Sequence, residues 1–372
     1  MALTEIDGSA LGPTAQRILG RRNLVINGAM NIAQRGTSST STGYQTVDRF
    51  DFQYGGTDEA PTQAQVDITA DTDPWNKGFR KAFKITNGNQ TGGAGAADFQ
   101  EIIYKFEAQD IASSGWDYTS ATSYITVSFW IKSSVAQNFY GFFRTHDGTA
   151  QAYPFETGSL SADTWTQGAL TIPGNTNIQV DNNNAVGLTL YLIPFYGTDY
   201  TATPTLNTWA AYASGTRTPA NTSTWWTTNN ATLEITGVQV EVANSETEFE
   251  HLTYAEDLRA CQRYFYMHTN GADNTTSPVG QCTMYTNTSG FGPIFFKETM
   301  RATPTLHKAV GTDYFIAYGR AGSDAFDNVA LQKSCPTCFV INYYDGLSNT
   351  GDDSCWVQIQ NAAARIGFDA EL

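Results

Sequence analysis

Residues Leu233–Phe265 read LEITGVQVEVANSETEFEHLTYAEDLRACQRYF, and this stretch decides the predicted fold. Apolar and polar residues alternate from Val238 to Val242, which is typical of a half-buried β-strand. Thr253 and Glu256 then have the spacing of a capping box, in which each side chain accepts a hydrogen bond from the backbone amide of the other residue. A single apolar stripe at helical spacing follows, made of Tyr254, Leu258, Cys261 and Phe265. We therefore predict one short amphipathic helix, at 253–266, that joins a large β domain to a smaller one.

The composition favours an all-β protein. The chain has 372 residues, enough for two domains, and 33 of them are glycine. Only 15% of the residues are charged while 13% are aromatic, a profile that suits short strands joined by many turns. Because the formal charge is −15, we expect no nucleic-acid partner. Low charge together with many aromatic residues also indicates a surface that is covered in part by partner chains.

Neither a targeting signal nor a cysteine-based site is predicted. The N-terminus lacks the basic and apolar regions of a secretory signal, and no apolar run reaches the roughly 18 residues of a membrane span, so we expect no membrane insertion. Five cysteines form no dense pattern, which argues against a disulfide framework. Cys335 and Cys338 form a CxxC pair, but a predicted strand rather than a helix follows it, so we predict structural thiols at a tight turn.

Short strands separated by turn residues fill the chain on both sides of the helix. The clearest strands before it are Phe79–Ile85, Ile102–Phe106, Tyr124–Ile131, Phe139–Arg144, Ala169–Ile172, Gly187–Ile193, Thr232–Ile235 and Val238–Val242. The clearest strands after it are Gln281–Tyr285, Gly290–Phe296, Tyr314–Tyr318, Phe339–Tyr344, Cys355–Ile359 and Arg365–Phe368. Such a series without intervening helices predicts two β-sandwich domains, the first resembling a jelly roll. The predicted parts are an N-terminal segment at 1–22, a large sandwich at 23–252, the joint helix at 253–266 and a small sandwich at 267–372.

Four motifs occur in a recognisable order. They are NLVING (Asn23–Gly28) with QRG (Gln34–Gly36), TVDRF (Thr46–Phe50), ITGVQVEV (Ile235–Val242), and FEH (Phe249–His251) leading into RACQRYF (Arg259–Phe265). As an ordered set they resemble the tail-fibre and appendage proteins of tailed bacteriophages, notably podovirus-like phages of marine bacteria. The C-terminal segments MRATPT (Met300–Thr305) and GFDAEL (Gly367–Leu372) are also similar to that family.

The resemblance implies a virion structural protein with a jelly roll like that of carbohydrate-binding modules. It further implies a homotrimer that is made in the host cytoplasm, is located in the phage particle and contacts other virion tail or head proteins. Because the chain lacks the shaft of the longer fibres, a fibre tip, a short fibre and a head decoration with a purely structural role all stay open.

Three arginines, Arg17, Arg21 and Arg22, make the N-terminal segment locally basic in an acidic chain. One interpretation is a loose terminus. The other is a docking segment that pairs with an acidic surface of the particle, and we adopt this one.

The sequence does not predict an enzyme. The four histidines, His146, His251, His268 and His307, are scattered and form no known catalytic motif. A glycosidase needs two carboxylates on either side of a cleft; Glu101 and Asp181 are conceivable, but nothing in the sequence selects them. The alternative function is therefore a glycan depolymerase of a phage tailspike.

Aromatic residues offer the better candidates for glycan binding. Ile125, Val127, Phe129 and Ile131 occupy one face of a predicted strand, so Trp130 lies on the other face. By the same spacing, Tyr191 lies opposite Leu188, Leu190 and Leu192. Flat rings that point outward suit the stacking of sugar rings, and Trp225–Trp226 is a further candidate, as a binding loop. The alternative is that Trp130 and Tyr191 lie in a seam between subunits or pack under a loop.

Structural calcium is the only cofactor considered. Jelly-roll sugar-binding modules of the kind that the resemblance implies often hold such an ion between their first and last strands. In this sequence Asn27 and Glu241 could provide oxygen ligands if the strands that carry them are adjacent.

Overall fold

The computed structural model describes residues 22–320, 322–348 and 354–372, and it confirms an all-β fold with one short helix between two β-sandwiches. The chain divides into two compact units. The first extends to Asp257 and includes Leu372, and the second is Leu258–Glu371. The division therefore falls inside the helix that the sequence predicts as the joint.

The first unit contains fourteen strands in its described residues. They are β1 (Ser38–Ser39), β2 (Phe50–Gly55), β3 (Thr62–Asp67), β4 (Lys81–Thr86), β5 (Phe99–Glu107), β6 (Tyr124–Ser133), β7 (Asn138–Thr145), β8 (Gln151–Ser159), β9 (Thr166–Pro173), β10 (Val186–Tyr196), β11 (Thr201–Ala202), β12 (Ala210–Ala211), β13 (Thr218–Pro219) and β14 (Thr232–Glu241). The short helices α1 (Asp73–Asn76), α2 (Ala108–Ala112) and α3 (Thr224–Thr227) interrupt this series.

Two six-stranded sheets build the first sandwich. The first sheet has the strand order β1-β3-β4-β14-β6-β9 and the second has the order β12-β8-β7-β10-β5-β2. Strands β11 and β13 form a separate parallel pair. The main core lies between the two sheets and contains the alternating residues Ile125, Val127, Phe129 and Ile131 of β6 and Leu188, Leu190 and Leu192 of β10. The predicted inward faces of these two strands are confirmed.

Strand β14 is buried more fully than its alternating sequence predicts. Thr232–Ile235 and Val238–Val242, predicted as two strands, are one strand from Thr232 to Glu241. Gly237, at φ +63°, lies at a shift of register with β6, so the strand is continuous but bulged. The prediction of a half-buried strand is wrong, because the polar residues Gln239 and Glu241 are also buried.

The apolar residues Leu24–Ile26 form no strand, although the segment that contains them lies along β14. The Leu24 amide donates to the Val240 carbonyl at 2.8 Å, and the Val238 amide donates to the Gly28 carbonyl at 3.0 Å. The Asn23 side chain bonds Val238 and Val240 as well, at 3.1 and 3.0 Å. Side-chain bonds therefore hold part of this segment, in place of a regular ladder.

Helix α4 is Tyr254–Gln262, shorter than predicted. Its capping box is present, with the Thr253 amide 2.9 Å from Glu256 Oε2 and the Glu256 amide 3.3 Å from Thr253 Oγ1. The predicted apolar stripe is only partly correct. Tyr254 is 63% exposed, whereas the carboxylate-bearing Asp257 is buried and accepts a hydrogen bond from the Asn27 amide at 2.9 Å. Within the described residues, no helix is long and apolar enough to cross a membrane.

The second unit is a smaller sandwich of ten strands in its described residues. They are β15 (Phe265–Asn270), β16 (Pro278–Thr286), β17 (Ser289–Phe295), β18 (Thr305–Ala309), β19 (Phe315–Gly319), β20 (Gly322–Phe326), β21 (Asn328–Cys335), β22 (Cys338–Tyr344), β23 (Ser354–Ile359) and β24 (Arg365–Asp369). A three-stranded sheet in the order β15-β24-β18 and a seven-stranded sheet in the order β20-β19-β23-β16-β17-β22-β21 enclose its core.

The CxxC pair joins β21 to β22 through a two-residue turn. Cys335 and Cys338 are cross-strand partners, and their sulfur atoms are 3.2 Å apart. The predicted tight turn is present, and neither sulfur atom is in a disulfide.

Candidate functional site

Trp130 faces outward from the first sheet, as predicted, but it is covered. Its side chain is only 9% exposed and belongs to a cluster outside the main core, together with Phe79, Trp165 and the partly buried Phe249. The Gly237 bulge lets the indole lie close to the backbone, since a Cβ atom built on Gly237 would be 3.1 Å from Trp130 Cδ1. Most of the Trp130 side chain is therefore packed beneath neighbouring segments, as the alternative interpretation proposed.

The remaining edge of Trp130 lines an open depression of about 480 Å³, which we call the Trp130 groove. The lining residues that matter for its chemistry are Phe79, Trp130, Gln167, Glu246, Phe249 and His251. Elements distant in sequence provide them: β6, its neighbour β9, the residues before β4, and the segment after β14. The sandwich thus brings together residues that are up to about half the chain apart.

Three rings form the aromatic wall of the Trp130 groove. The ring centroids of Phe79 and Phe249 are 4.8 Å apart, those of Phe79 and His251 are 5.0 Å apart, and those of Phe249 and His251 are 4.9 Å apart. His251 Nε2 lies 2.9 Å from the Lys77 carbonyl oxygen, which orients the imidazole. The rings can contact the C–H face of a sugar. The Gln167 amide and the Glu246 carboxylate beside them can form hydrogen bonds with its hydroxyls.

Of the residues that line the Trp130 groove, only Trp130 was predicted from the sequence to bind glycan. Phe249 and His251 belong to the FEH motif that carries the resemblance, but nothing in their spacing indicates contact with Phe79 or Trp130. Their proximity depends on the pairing of β4, β14 and β6, which joins residues far apart in sequence.

Tyr191 lies on the outer face of the second sheet, so it cannot share a platform with Trp130. It stacks on Phe142 with ring centroids 4.2 Å apart and an interplanar angle of 7°. Burial raises the pKa of the Tyr191 hydroxyl to about 12, and the nearby Glu101 carboxylate adds to this shift. At 9% exposure Tyr191 presents little ring surface to a ligand.

Glu101, one of the two carboxylates considered for catalysis, belongs to a closed cluster. Its carboxylate accepts a hydrogen bond from the Tyr196 hydroxyl and lies 3.6 Å from Arg217 Nη1. Burial raises the pKa of Glu101, while the hydrogen bond from Tyr196 and the charge of Arg217 oppose the shift. Asp181 is exposed, and its amide donates to Asp147 Oδ2 at 2.8 Å. Among the described residues, no hydrogen bond or ion pair joins Asp181 to Glu101.

The prediction that Trp225 and Trp226 form an exposed binding loop is wrong. Both side chains are 0% exposed, in helix α3. The Trp225 indole donates to the Thr232 carbonyl at 3.0 Å, and the Trp226 indole donates to the Gly93 carbonyl at 2.7 Å. Because both indoles are buried and hydrogen-bonded, neither face can stack on a sugar.

Arg22 binds to its own domain. Its Nη1 donates to Thr247 Oγ1 at 2.6 Å, its Nη2 donates to the Glu248 carbonyl at 3.2 Å, and its backbone amide donates to Glu250 Oε2 at 2.8 Å. Docking to a particle through this side chain would require these bonds to break. The other two docking candidates, Arg17 and Arg21, lie outside the described residues.

The two calcium candidates also have protein partners. Asn27 Oδ1 accepts from the Ile32 amide at 2.9 Å. Glu241 accepts from Thr247 Oγ1 at 2.7 Å and from the Gln239 amide group at 3.0 Å. Among the described residues, no group of three or more His, Cys, Asp or Glu side chains is placed to hold a metal. Asn27 and Glu241 therefore act as hydrogen-bonding residues in this structure.

No family model matches this sequence, and no curated protein matches it. Among solved structures, the chain is similar to the enzymatically active domain of bacteriophage CBA120 tailspike protein 4, with 11% identity and a TM-score of 0.31 over 59% of this chain and 21% of that chain. It is similar to a family 11 carbohydrate-binding module from Clostridium thermocellum, with 9% identity and a TM-score of 0.25 over 56% and 98% of the two chains. It is also similar to the N-terminal cellulose-binding domain of Cellulomonas fimi β-1,4-glucanase C, with 10% identity and a TM-score of 0.27 over 58% and 98%.

Proposed function

We propose that this chain is a structural protein of a bacteriophage virion, a tail fibre or similar appendage, whose first sandwich binds host-surface glycan in the Trp130 groove. The observation that carries the glycan-binding part is the depression of about 480 Å³ walled by Phe79, Phe249 and His251. The virion part rests on the ordered motifs of the sequence.

The groove offers a sugar both kinds of contact that it needs. The rings accept the C–H face of a pyranose, and the amide of Gln167 can donate to or accept from its hydroxyls. The carboxylate of Glu246 can accept from two hydroxyls. A shallow open site of this kind binds weakly on its own, and several linked copies raise the avidity by about 10²–10⁴.

A printed array of bacterial surface glycans tests the binding. We expect the full-length chain to bind at least one of them, and His251→Ala and Phe249→Ala to weaken that binding about tenfold or more, as loss of a central aromatic contact does. Tyr254→Ala removes an exposed ring elsewhere in the same unit and is the matched control. Binding that is unchanged in both groove variants, or absent for every glycan, would contradict the proposal.

The location requires a separate experiment. Negative-stain imaging of particles labelled with antibody against this chain should show the label on the tail. Label on the head would support a decoration protein instead, and particles without label would contradict the virion assignment.

A further inference from the structure

In the second unit, the seven-stranded sheet is uncharged at its centre, whereas its edge strand β21 carries the exposed Lys333. Its five central strands, in the spatial order β19-β23-β16-β17-β22, contain no charged residue. This is unusual in a chain of net charge −15 that has 57 charged side chains. Alternate residues of these strands, such as Phe315, Val357 and Ile341, face the core, so the intervening residues form the outer face.

Two exposed rings lie side by side on this face. Tyr318 and Trp356 are cross-strand partners on β19 and β23, and their ring centroids are 5.7 Å apart with an interplanar angle of 33°. Their side chains are 41% and 42% exposed. They differ in this respect from Trp130 and Tyr191, which are each 9% exposed.

Neutral hydrogen-bonding groups surround the two rings. Gln281 of β16 is the cross-strand partner of Trp356 on its other side. Gln358, two residues along β23, donates from Nε2 to the Tyr318 hydroxyl at 3.4 Å. Ser354 is exposed two residues in the other direction. The Trp356 indole thus has the Gln281 amide across the strand pair, and the Gln358 amide and the Ser354 hydroxyl on its own strand.

We infer that Tyr318 and Trp356 form a stacking platform for a neutral saccharide, a second binding site that is independent of the Trp130 groove. The rings supply flat apolar surface for the C–H faces of sugar residues. Gln281, Gln358 and Ser354 supply partners for uncharged hydroxyls, and no central strand supplies a charge for an acidic sugar. A second copy of the chain fits this face less well, because its contact would bury these amides and the hydroxyl without assured partners, which is costly.

Affinity electrophoresis of the full-length chain tests the platform, in native gels that contain hydroxyethylcellulose, xyloglucan, galactomannan or dextran. We expect retardation in at least one of these neutral polysaccharides. Trp356→Ala and Tyr318→Ala should each weaken the association by about tenfold, which corresponds to 1.4 kcal/mol. Trp356→Tyr should retain most of the retardation, because it keeps a flat ring on the strand. None of these changes alters the charge of the chain, so mobility without polysaccharide stays constant.

Two controls separate this site from the others. Tyr254→Ala removes an exposed ring of the first unit and should leave the retardation unchanged. His251→Ala alters the Trp130 groove: if it abolishes retardation while Trp356→Ala has no effect, the platform is refuted and the groove is supported. Absence of retardation in all four gels also refutes the platform. A change of molar mass in light scattering on Trp356→Ala would show that the face is a contact between copies, which overturns the inference too.

Discussion

At the scale of single residues, His146 is a partly buried imidazole whose Nε2 lies 2.8 Å from Thr189 Oγ1. Burial, aided by the charges of Arg144 and Lys105, lowers its pKa from 6.5 to about 4. Between these two values the unfolded chain binds a proton that the folded chain does not. The free energy of unfolding should therefore fall as the pH is lowered from 7 to 4.

The test compares urea unfolding of the native chain and of His146→Gln at pH 7 and pH 4.5. Glutamine keeps a group that can bond Thr189 but does not titrate, so the variant should lose less stability on acidification. Burial also lowers the pKa of His268, so some acid sensitivity remains and the difference between the two chains is the informative quantity. Equal losses in both chains would contradict the assignment.

Trp226 provides a second prediction for a single residue. Its indole is 0% exposed and packs on Phe195 with centroids 4.7 Å apart. Trp226→Ala should lower the free energy of unfolding by about 3–5 kcal/mol, because it leaves a cavity and an unpaired Gly93 carbonyl. Tyr285→Ala, which removes a side chain that is 74% exposed, should change it by about 0.5 kcal/mol or less. Urea unfolding followed by circular dichroism measures both, and a loss below about 1 kcal/mol for Trp226→Ala would show that the site collapses around the smaller side chain.

The tryptophans also show what the sequence could predict about a site. Spacing along a strand correctly assigned Trp130 to the outer face of its sheet. Spacing does not show what covers that face, and Phe79 and Phe249 cover Trp130 from distant parts of the chain. Trp225 and Trp226 have polar neighbours in the sequence, yet the fold buries both. Exposure therefore depended on tertiary contacts that the local pattern does not contain.

At the scale of elements, the bulge in β14 connects the fold to the Trp130 groove. Gly237 has φ +63°, and a Cβ atom there would be 2.7 Å from Phe79 Cζ. Gly237→Ala should therefore cost about 1–3 kcal/mol of stability, from overpacking and backbone strain. It should also weaken glycan binding, since Phe79 and Trp130 must move.

Gly215→Ala is the control, because a Cβ atom on Gly215 meets nothing closer than 3.6 Å. Urea unfolding and the glycan array measure the two effects. Native stability and native binding in Gly237→Ala would show that the bulge does not shape the groove.

The elements also differ in how well the sequence predicts them. The capping box formed as expected because its contacts are local. The strand of alternating residues at β14 was placed correctly, but its polar face is buried by the segments 23–28 and 247–250. The Asn23 side chain donates to the Val238 carbonyl, and the Glu250 backbone amide donates to Gln239 Oε1. Residues far apart in sequence determine that burial, so period-two alternation alone could not predict it.

At the scale of the whole molecule, we expect a homotrimer. The reasons are the family resemblance and a surface that is poor in charge. A closed cyclic assembly buries surface of this kind without leaving open ends. Light scattering coupled to size-exclusion chromatography should give about three times the chain mass of 40.6 kDa at micromolar concentration. A monomer mass under these conditions would contradict the expectation.

Attachment to the particle is a property of the whole chain as well. Because Arg22 bonds Thr247 and Glu248, the docking hypothesis now rests on Arg17 and Arg21. A phage whose copy lacks residues 2–21 keeps Arg22, so it should make a folded protein that is absent from purified particles. The substitution of both Arg17 and Arg21 by Gln should also reduce the amount of this protein in purified particles. Normal occupancy on immunoblots of particles with the deletion would refute docking by this segment.

The contacts between Asn23 and β14 have a consequence for the order in which the protein folds. The Asn23 side chain bonds Val238 and Val240, more than 200 positions later in the chain. During synthesis, the Asn23 segment leaves the ribosome before β14, so it cannot occupy its native place until β14 has emerged. Pairings of such long sequence separation slow folding, because a large loop closes before its contacts form. The first sandwich can therefore be completed only after β14 has been translated, and until then its unpaired strand edges are prone to aggregation.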